Sequence, residues 1–117
     1  MPIELLNDDL TACSILSAGL RPFREIDNMQ LSEVATILAV AAKDGERSAS
    51  DMSKLADISM PKAHRRIAEA KALGLIDQRP DDFDQRTLRC YLTERGRGLV
   101  RSVAENMRRR AAVRAAA

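Results

Sequence analysis

The sequence predicts a mainly helical α+β domain that carries one small antiparallel β-hairpin. Apolar residues recur every three or four positions in several segments, which is typical of amphipathic helices. Two short apolar or alternating stretches, "LIDQR" and "TLRCYL", flank a polar turn and indicate the hairpin. The length of 117 residues suits one domain, residues 1–117, and no internal repeat or separate linker divides it.

Composition excludes several classes of protein. Hydrophobic residues make up 45% of the chain and charged residues 31%, so neither a disordered tail nor a membrane protein is expected. The longest apolar run, Ile37 to Ala42, is too short to span a bilayer, and the N-terminus lacks the pattern of a secretion signal. One histidine and two cysteines without Cys-x-x-Cys spacing predict neither a metal site nor a disulfide framework, so we expect no cofactor and a cytoplasmic location.

The first predicted helix lies near the N-terminus. Leu6, Leu10, Cys13, Leu16 and Leu20 fall on one helical face, and the "GLRPF" stretch ends the helix. Cys13 belongs to this apolar stripe, so we expect it to be a small buried side chain.

Two further helices are predicted before the centre of the chain. The segment "LSEVATILAVAA" has a broad apolar stripe, with Ser32 as its expected N-cap. A short third helix is expected after Ser50, which is a plausible N-cap followed by Asp51 in the first turn.

The fourth helix carries the most information about function. Ser59 is its expected N-cap, Pro61 suits the first turn, and Gly74 suits a left-handed residue after the last turn. Its opening turns are crowded with polar and basic side chains, a composition that favours phosphate at a helix N-terminus. We predict that Lys62, Arg65 and Arg66 as a group contact DNA, and that His64 either contacts DNA or is an ordinary surface histidine.

After the hairpin, Thr93 is expected to cap a long final helix with an apolar face around Val103, ending in a frayed "RRRAAVRAAA". The element order is therefore three helices and a recognition helix, then strand, turn, strand and helix. This is the order of a winged helix-turn-helix, in which the turn "PDDFDQR" is the wing.

Charge is distributed unevenly along the chain. Up to Asp57 there are 5 lysines and arginines against 10 acids, a net of −5; from Ile58 onward there are 14 against 7, a net of +7, giving the overall +2. A basic half indicates a polyanionic partner. Asp84, two residues before Arg86 in the wing, is expected to pair with it and limit its rotamers, and Arg79 and Arg89 on the strands are further candidates for phosphate contact.

Three stretches together resemble the MarR family of bacterial transcription regulators. They are "SMPKAHRRIAEAKALGLID", the wing residues Asp84-Gln85-Arg86, and "LTERGRGL" at the start of the last helix. The resemblance implies a recognition helix that enters the major groove and contacts DNA through Met60, Lys62, His64, Arg65 and Arg66. It also implies that Arg86 enters the minor groove and that Asp84 holds the loop. It further implies a homodimer built from residues 1–22 and 93–117. Such a dimer would repress transcription by binding a palindromic operator, and it would be associated with the bacterial nucleoid.

Alternatives to this function remain open. One is a winged-helix module that binds proteins without DNA, and another is a switch that responds to a small-molecule effector or an oxidant. Oxidant sensors of the family surround a first-helix cysteine with tyrosines, whereas Tyr91 is the only tyrosine of this chain. Neither a phosphate loop nor a nucleophile–base pairing appears in the sequence, so an enzyme is not expected.

Overall fold

The computed structural model describes residues 2–116, which contain five α-helices, one 3-10 helix and three strands. The helices and strands follow one another in this order: α1 (Asn7–Leu20), the 3-10 helix (Arg21–Glu25), α2 (Leu31–Ala42), β1 (Arg47–Ser48), α3 (Ala49–Ala56), α4 (Met60–Ala72), β2 (Ile76–Pro80), β3 (Leu88–Leu92) and α5 (Glu94–Ala116). The predicted mainly helical fold with an antiparallel hairpin is confirmed.

The chain divides into two compact units. Residues 28–100 form one unit, which contains α2, α3, α4, the sheet and the first turns of α5. The other unit consists of residues 2–27 together with 101–116.

The unit of residues 28–100 has a small apolar core. Ile37 and Val40 of α2, Ile67 of α4, and Leu75 and Cys90 at the sheet are almost inaccessible to solvent. The helical apolar stripe predicted for α4 is present, because Ala63, Ile67 and Ala70 are its buried residues. Burial raises the pKa of the Cys90 thiol, as expected for a cysteine inside an apolar core.

The sheet has three strands in the order β1-β3-β2, all antiparallel. In the hairpin, Ile76 pairs with Leu92 and Pro80 pairs with Leu88, which leaves residues 81–87 as the connecting wing. The two-residue strand β1 was not predicted; it places Arg47 opposite Cys90 on the other side of β3.

Helix ends partly agree with the predicted caps. Ser59 caps α4 by accepting a hydrogen bond from the Lys62 N–H (3.3 Å), and Gly74 adopts a left-handed conformation with φ of 74°. The predicted cap at Ser50 is wrong. The N-cap of α3 is Ser48, two residues before Ser50, and it forms a capping box with Asp51. The predicted cap at Ser32 is also wrong, because α2 begins at Leu31 and Gln30 is its N-cap.

The start of α5 is joined to the end of α4 by several polar contacts. Thr93 Oγ1 accepts from the Gly96 N–H (3.1 Å), as its predicted capping role requires, and donates to the Gly74 carbonyl (2.6 Å). Arg95 donates to the Leu73 carbonyl (2.8 Å). A side chain at position 96 would overlap the Leu75 carbonyl oxygen, so glycine permits this close approach.

In the other unit, the predicted apolar stripe of α1 is largely exposed in the single chain. Leu6, Leu10 and Leu16 have exposed fractions of 67%, 45% and 51%. Cys13 is exposed as well, so its predicted burial is wrong for the isolated chain. Helix α5 continues to Ala116, so the C-terminal segment is helical as its sequence predicts.

Gly19 of α1 lies against the Met107 side chain of α5. A Cβ at position 19 would lie 2.5 Å from the Met107 Cγ, so a larger residue would force the Met107 side chain to shift. None of the helices in residues 2–116 is both long and apolar enough to cross a membrane.

Candidate nucleic-acid interface

Helix α4 begins with groups that favour an anion. The Ser59 cap satisfies the Lys62 N–H, and Pro61 lies where its missing N–H removes no intrahelical hydrogen bond. The remaining free N–H groups and the helix dipole give this end a partial positive charge. Lys62 and Arg65 are exposed next to it and add full positive charges.

The five candidate residues of α4 lie on different sides of the helix. Met60 and His64 are one turn apart and therefore share a side. Lys62 and Arg65 are exposed, whereas Arg66 is half-buried beside an apolar depression that Ala39 of α2 also lines. The stem of Arg66 thus covers apolar surface, a role that its charge alone did not predict.

A groove of about 320 Å³ separates α4 from the wing. Met60 and His64 line it from α4, and Arg86 lines it from the wing, so the structure brings together three of the predicted residues. The hydroxyl-bearing Ser48 and Thr87 also line the groove, and hydroxyls commonly contact nucleic-acid phosphates. The sequence analysis did not predict Ser48 as a residue of the groove. Its position directly before the polar helix α3 was the signal that could have indicated it.

Asp84 organises the end of the wing. Its Oδ1 accepts from the Arg86 N–H (3.1 Å) and from the Arg86 Nε (3.3 Å), and its Oδ2 accepts from the Thr87 hydroxyl (3.3 Å). The predicted pairing of Asp84 with Arg86 is therefore present. Arg86 remains 93% exposed, so its guanidinium is oriented by Asp84 yet accessible to a partner.

Asp81 organises the start of the wing, and sequence reasoning missed it. Its Oδ2 accepts from the N–H groups of Phe83 (3.2 Å) and Asp84 (3.0 Å), while its Oδ1 lies 2.7 Å from the Arg89 Nε. The hydrogen bond from Arg89 holds the pKa of the Asp81 carboxyl below its ordinary value, and the same bond raises the pKa of Arg89. Both ends of the wing are thus held by a carboxylate.

The two strand arginines considered as phosphate contacts have partners within the fold. Arg89 pairs with Asp81 and also donates to the Glu46 carbonyl. Arg79 stacks over the ring of Tyr91, with its guanidinium carbon 4.0 Å from the ring centroid. Phe83, which sequence reasoning did not assign, is 98% exposed at the tip of the wing.

His64 is exposed on the groove side of α4. Within residues 2–116, no group of three or more histidine, cysteine or acidic side chains is arranged to hold a metal ion. The groove presents an imidazole, a guanidinium and hydroxyls, which can form hydrogen bonds and, in the case of Arg86, carry positive charge.

No family model and no curated protein matches the chain. Solved structures do match its fold. Transcriptional regulator Tm0710 from Thermotoga maritima is 15% identical with a TM-score of 0.71, covering 84% of this chain and 68% of its own. RV1404 from Mycobacterium tuberculosis is 20% identical with a TM-score of 0.71, covering 96% and 81%.

A third similar structure contains nucleic acid. It is a mutant of MepR from S. aureus bound to an oligodeoxyribonucleotide, 17% identical with a TM-score of 0.66, covering 87% of this chain and 76% of its own. Several further matches are described as MarR-family or MarR-like regulators. The chain therefore has the winged helix-turn-helix fold of MarR-family transcription regulators.

Proposed function

We propose that the protein is a DNA-binding transcription regulator that acts as a homodimer in the cytoplasm. The observation that carries this proposal is the groove in which α4 and the wing present Met60, His64 and Arg86 to the same space. Helix α4 would enter the major groove, where Lys62 and Arg65 contact phosphates or guanine edges. The exposed Arg86 would extend into the adjacent minor groove, where a narrow A·T-rich stretch attracts arginine.

The neighbouring structures support DNA as the partner. One contains MepR with an oligodeoxyribonucleotide, and another contains a MarR mutant from E. coli with operator DNA at a TM-score of 0.63. The geometry of the wing fits that use, because Asp84 restrains Arg86 before binding and so reduces the rotamer entropy lost on binding.

The exposed leucines of α1 support the homodimer. A row of exposed leucines on one helix face is the kind of surface that monomeric proteins usually bury. Residues 1–22 and 93–117 would form the interface, and the two-fold symmetry would match a palindromic operator with half-sites about one helical turn apart. Binding over a promoter would repress transcription.

The proposal is tested by selecting bound sequences from random duplex DNA. We expect enrichment of one palindromic site, bound with an affinity that falls steeply with salt. If the protein is folded but no site is enriched, the result would instead favour a winged-helix module that binds proteins.

The role of α4 is tested separately with Lys62→Ala. If Lys62 contacts phosphate, affinity should fall for all sequences and the salt slope should shrink by about one unit. Glu69→Gln on the same helix is the control, because it changes one exposed charge by the same amount in the opposite sense. If Lys62→Ala binds the selected site with the affinity and salt slope of the wild type, Lys62 does not contact the DNA.

A further inference from the structure

Phe83, in the wing, is an aromatic side chain that the fold leaves in solvent. Its exposed fraction of 98% is the highest among the exposed large apolar side chains within residues 2–116. The chain has only two phenylalanines, and the other, Phe23, is almost fully buried. Residues 81–87 lie outside both segments of the proposed homodimer interface, so that interface does not include Phe83. The fold gains almost no apolar burial from this ring, which leaves the ring available to a partner.

Hydrogen bonds hold the backbone that carries Phe83. The Phe83 N–H donates to Asp81 Oδ2 (3.2 Å), and so does the N–H of the next residue, Asp84 (3.0 Å). Asp81 is fixed in turn by Arg89, whose Nε lies 2.7 Å from the other carboxylate oxygen. Because the turn is already ordered, little backbone entropy is lost when the ring contacts a partner.

The turn does not require an aromatic residue at position 83. Its hydrogen bond uses only the backbone N–H, which every residue except proline supplies. A short polar residue could form the same turn and would not expose an apolar ring to water. A contact outside the chain therefore explains the ring better than the fold does.

Phe83 and Arg86 lie on opposite sides of the wing. Arg79 and Arg89 are paired in the hairpin and share one face, whereas Gln78, one position away, lies on the other face. Phe83 borders a depression on the face of Arg79 and Arg89, while Arg86 borders the groove toward α4 on the face of Gln78. The wing thus presents a cationic side chain toward α4 and an aromatic side chain on the side away from α4.

We propose that Phe83 enters the DNA minor groove beside Arg86 and partly unstacks one base step. This inference rests on the proposed DNA-binding function and adds a second contact to the wing. Apolar side chains that insert between base pairs from the minor groove kink the duplex by about 20–90° toward the major groove. The step should lie beyond the Arg86 contact, on the side away from the bases that α4 contacts.

The neighbouring charges favour DNA over a protein as the host of the ring. Arg86 is exposed and suits the negative potential of a narrow minor groove, and minor-groove proteins combine such cations with apolar side chains inserted between bases. Two of the three nearby carboxylates are paired, Asp81 with Arg89 and Asp84 with Arg86. Only Asp82 has no side-chain ion pair within residues 2–116, so little negative charge opposes the phosphates.

The sequence of the preferred step follows from the stiffness of DNA. Pyrimidine–purine steps such as TA are the most easily kinked and unstacked. Since Arg86 is expected in a narrow A·T-rich minor groove, we expect Phe83 to favour a TA step at the edge of that stretch. This preference would add specificity at a position that α4 does not reach.

The test uses 2-aminopurine, an adenine analogue whose fluorescence rises when the base is unstacked. The analogue replaces each flanking adenine of the selected site in turn, and each duplex is saturated with the full chain. We expect the wild type to raise the fluorescence at one position and Phe83→Ala to leave it at the level of the free duplex. Phe83→Leu should restore the rise, because leucine is also an apolar side chain that can insert between bases.

Affinity for the unlabelled site provides a second measurement. It should fall by about tenfold in Phe83→Ala, the effect of losing one base–aromatic contact. Gln85→Ala is the matched control, since Gln85 is an exposed neighbour in the same wing. It should reproduce both the fluorescence and the affinity of the wild type. Because the Phe83 ring is exposed, every variant should unfold at the temperature of the wild type.

The outcomes separate this inference from the proposed function. If the wild type binds no DNA site, both are wrong. If the wild type binds its site and Phe83→Ala matches it in affinity and fluorescence, the role of Phe83 is wrong while DNA binding stands. A wild type that binds but raises the fluorescence at no position would also overturn the inference, because the ring would then contact the duplex without unstacking a base.

Discussion

Arg89 Nε lies 2.7 Å from Asp81 Oδ1, and this ion pair joins the start of the wing to strand β3. The other oxygen of Asp81 accepts the N–H groups of Phe83 and Asp84, so one carboxylate holds both a strand and the turn that follows. Asp84 in turn holds Arg86. The position of Arg86 therefore depends on a chain of contacts that begins at Arg89.

Replacing Asp81 should loosen the wing without disturbing the core. Asp81→Asn keeps the shape of the side chain but removes the negative charge that Arg89 and the two N–H groups contact, so residues 81–87 should exchange their amide protons faster. DNA affinity should fall while α4 stays intact. Asp82→Asn is the control, because the neighbouring Asp82 is exposed and has no side-chain ion pair in residues 2–116. Hydrogen exchange measured by NMR would contradict the expectation if the two variants behaved alike.

Acid should loosen the wing in the same way. The folded pKa of Asp81 is depressed below 3.8 by Arg89, so the ionised form is favoured in the folded state. The stabilisation is therefore present above pH 3.8 and is lost as the pH falls through the lower, folded pKa. Following the Asp81 carboxyl carbon by NMR as the pH is lowered should reveal a midpoint below the ordinary aspartate pKa of about 3.9. A midpoint at or above that ordinary value would mean that the Arg89 contact is not maintained in solution.

Arg86→Ala should weaken binding to the selected DNA site by about 1–3 kcal/mol per half-site if Arg86 enters the minor groove. The loss should be largest where the flanking sequence is A·T-rich. Asp84→Ala should give a smaller loss of the same kind, because it releases Arg86 rather than removing it. Gln85→Ala is the control at the exposed neighbouring position. Full wild-type affinity in Arg86→Ala would exclude the wing from the interface.

Leu16→Arg should shift the protein from dimer to monomer. The substitution places a charge on the exposed leucine face of α1, where burial between two protomers would leave that charge without a partner. Leu31→Arg is a matched control, since Leu31 is 79% exposed at the start of α2 and lies outside α1. Sedimentation at micromolar concentration measures the result. If the wild type sediments as a monomer under these conditions, the proposed homodimer is wrong.

Organic hydroperoxide should leave DNA affinity unchanged, although Cys13 is exposed. The thiolate is the form that reacts, and α1 contains no lysine, arginine or histidine to stabilise it, whereas Asp9 lies one turn away. The chain also lacks the tyrosines that surround sensor cysteines in the family it resembles. A band-shift assay with and without hydroperoxide measures the effect; release that Cys13→Ser abolishes would establish a redox switch.

Local chemistry explains which parts of the fold were predictable. Ser59, Pro61 and Gly74 act within their own helix, so the bounds of α4 follow from residues a few positions apart. The hairpin strands were also predictable, because two short apolar or alternating stretches flank one polar turn and the pairing partners are close in sequence. Strand β1 has only two residues, too few to produce a periodic pattern, and Ser48 was therefore overlooked as the cap of α3.

The candidate site was predictable only in part, because its contacts span distant positions in the sequence. Asp84 and Arg86 are only two positions apart, and their pairing was predicted, whereas Asp81 and Arg89 meet only because β2 and β3 are paired. Arg66 was grouped with its basic neighbours on charge alone, but its half-buried position depends on α2 and α3.

The junction around Gly96 has a mechanical consequence. Gly96 allows the first turn of α5 to touch the Leu75 carbonyl, and Thr93 and Arg95 bond the carbonyls of Gly74 and Leu73 at the end of α4. No flexible spacer remains at this junction to absorb a rotation. A tilt of the first turn of α5 should therefore move the C-terminal end of α4 in the same direction, so that the two helix ends move as one rigid piece.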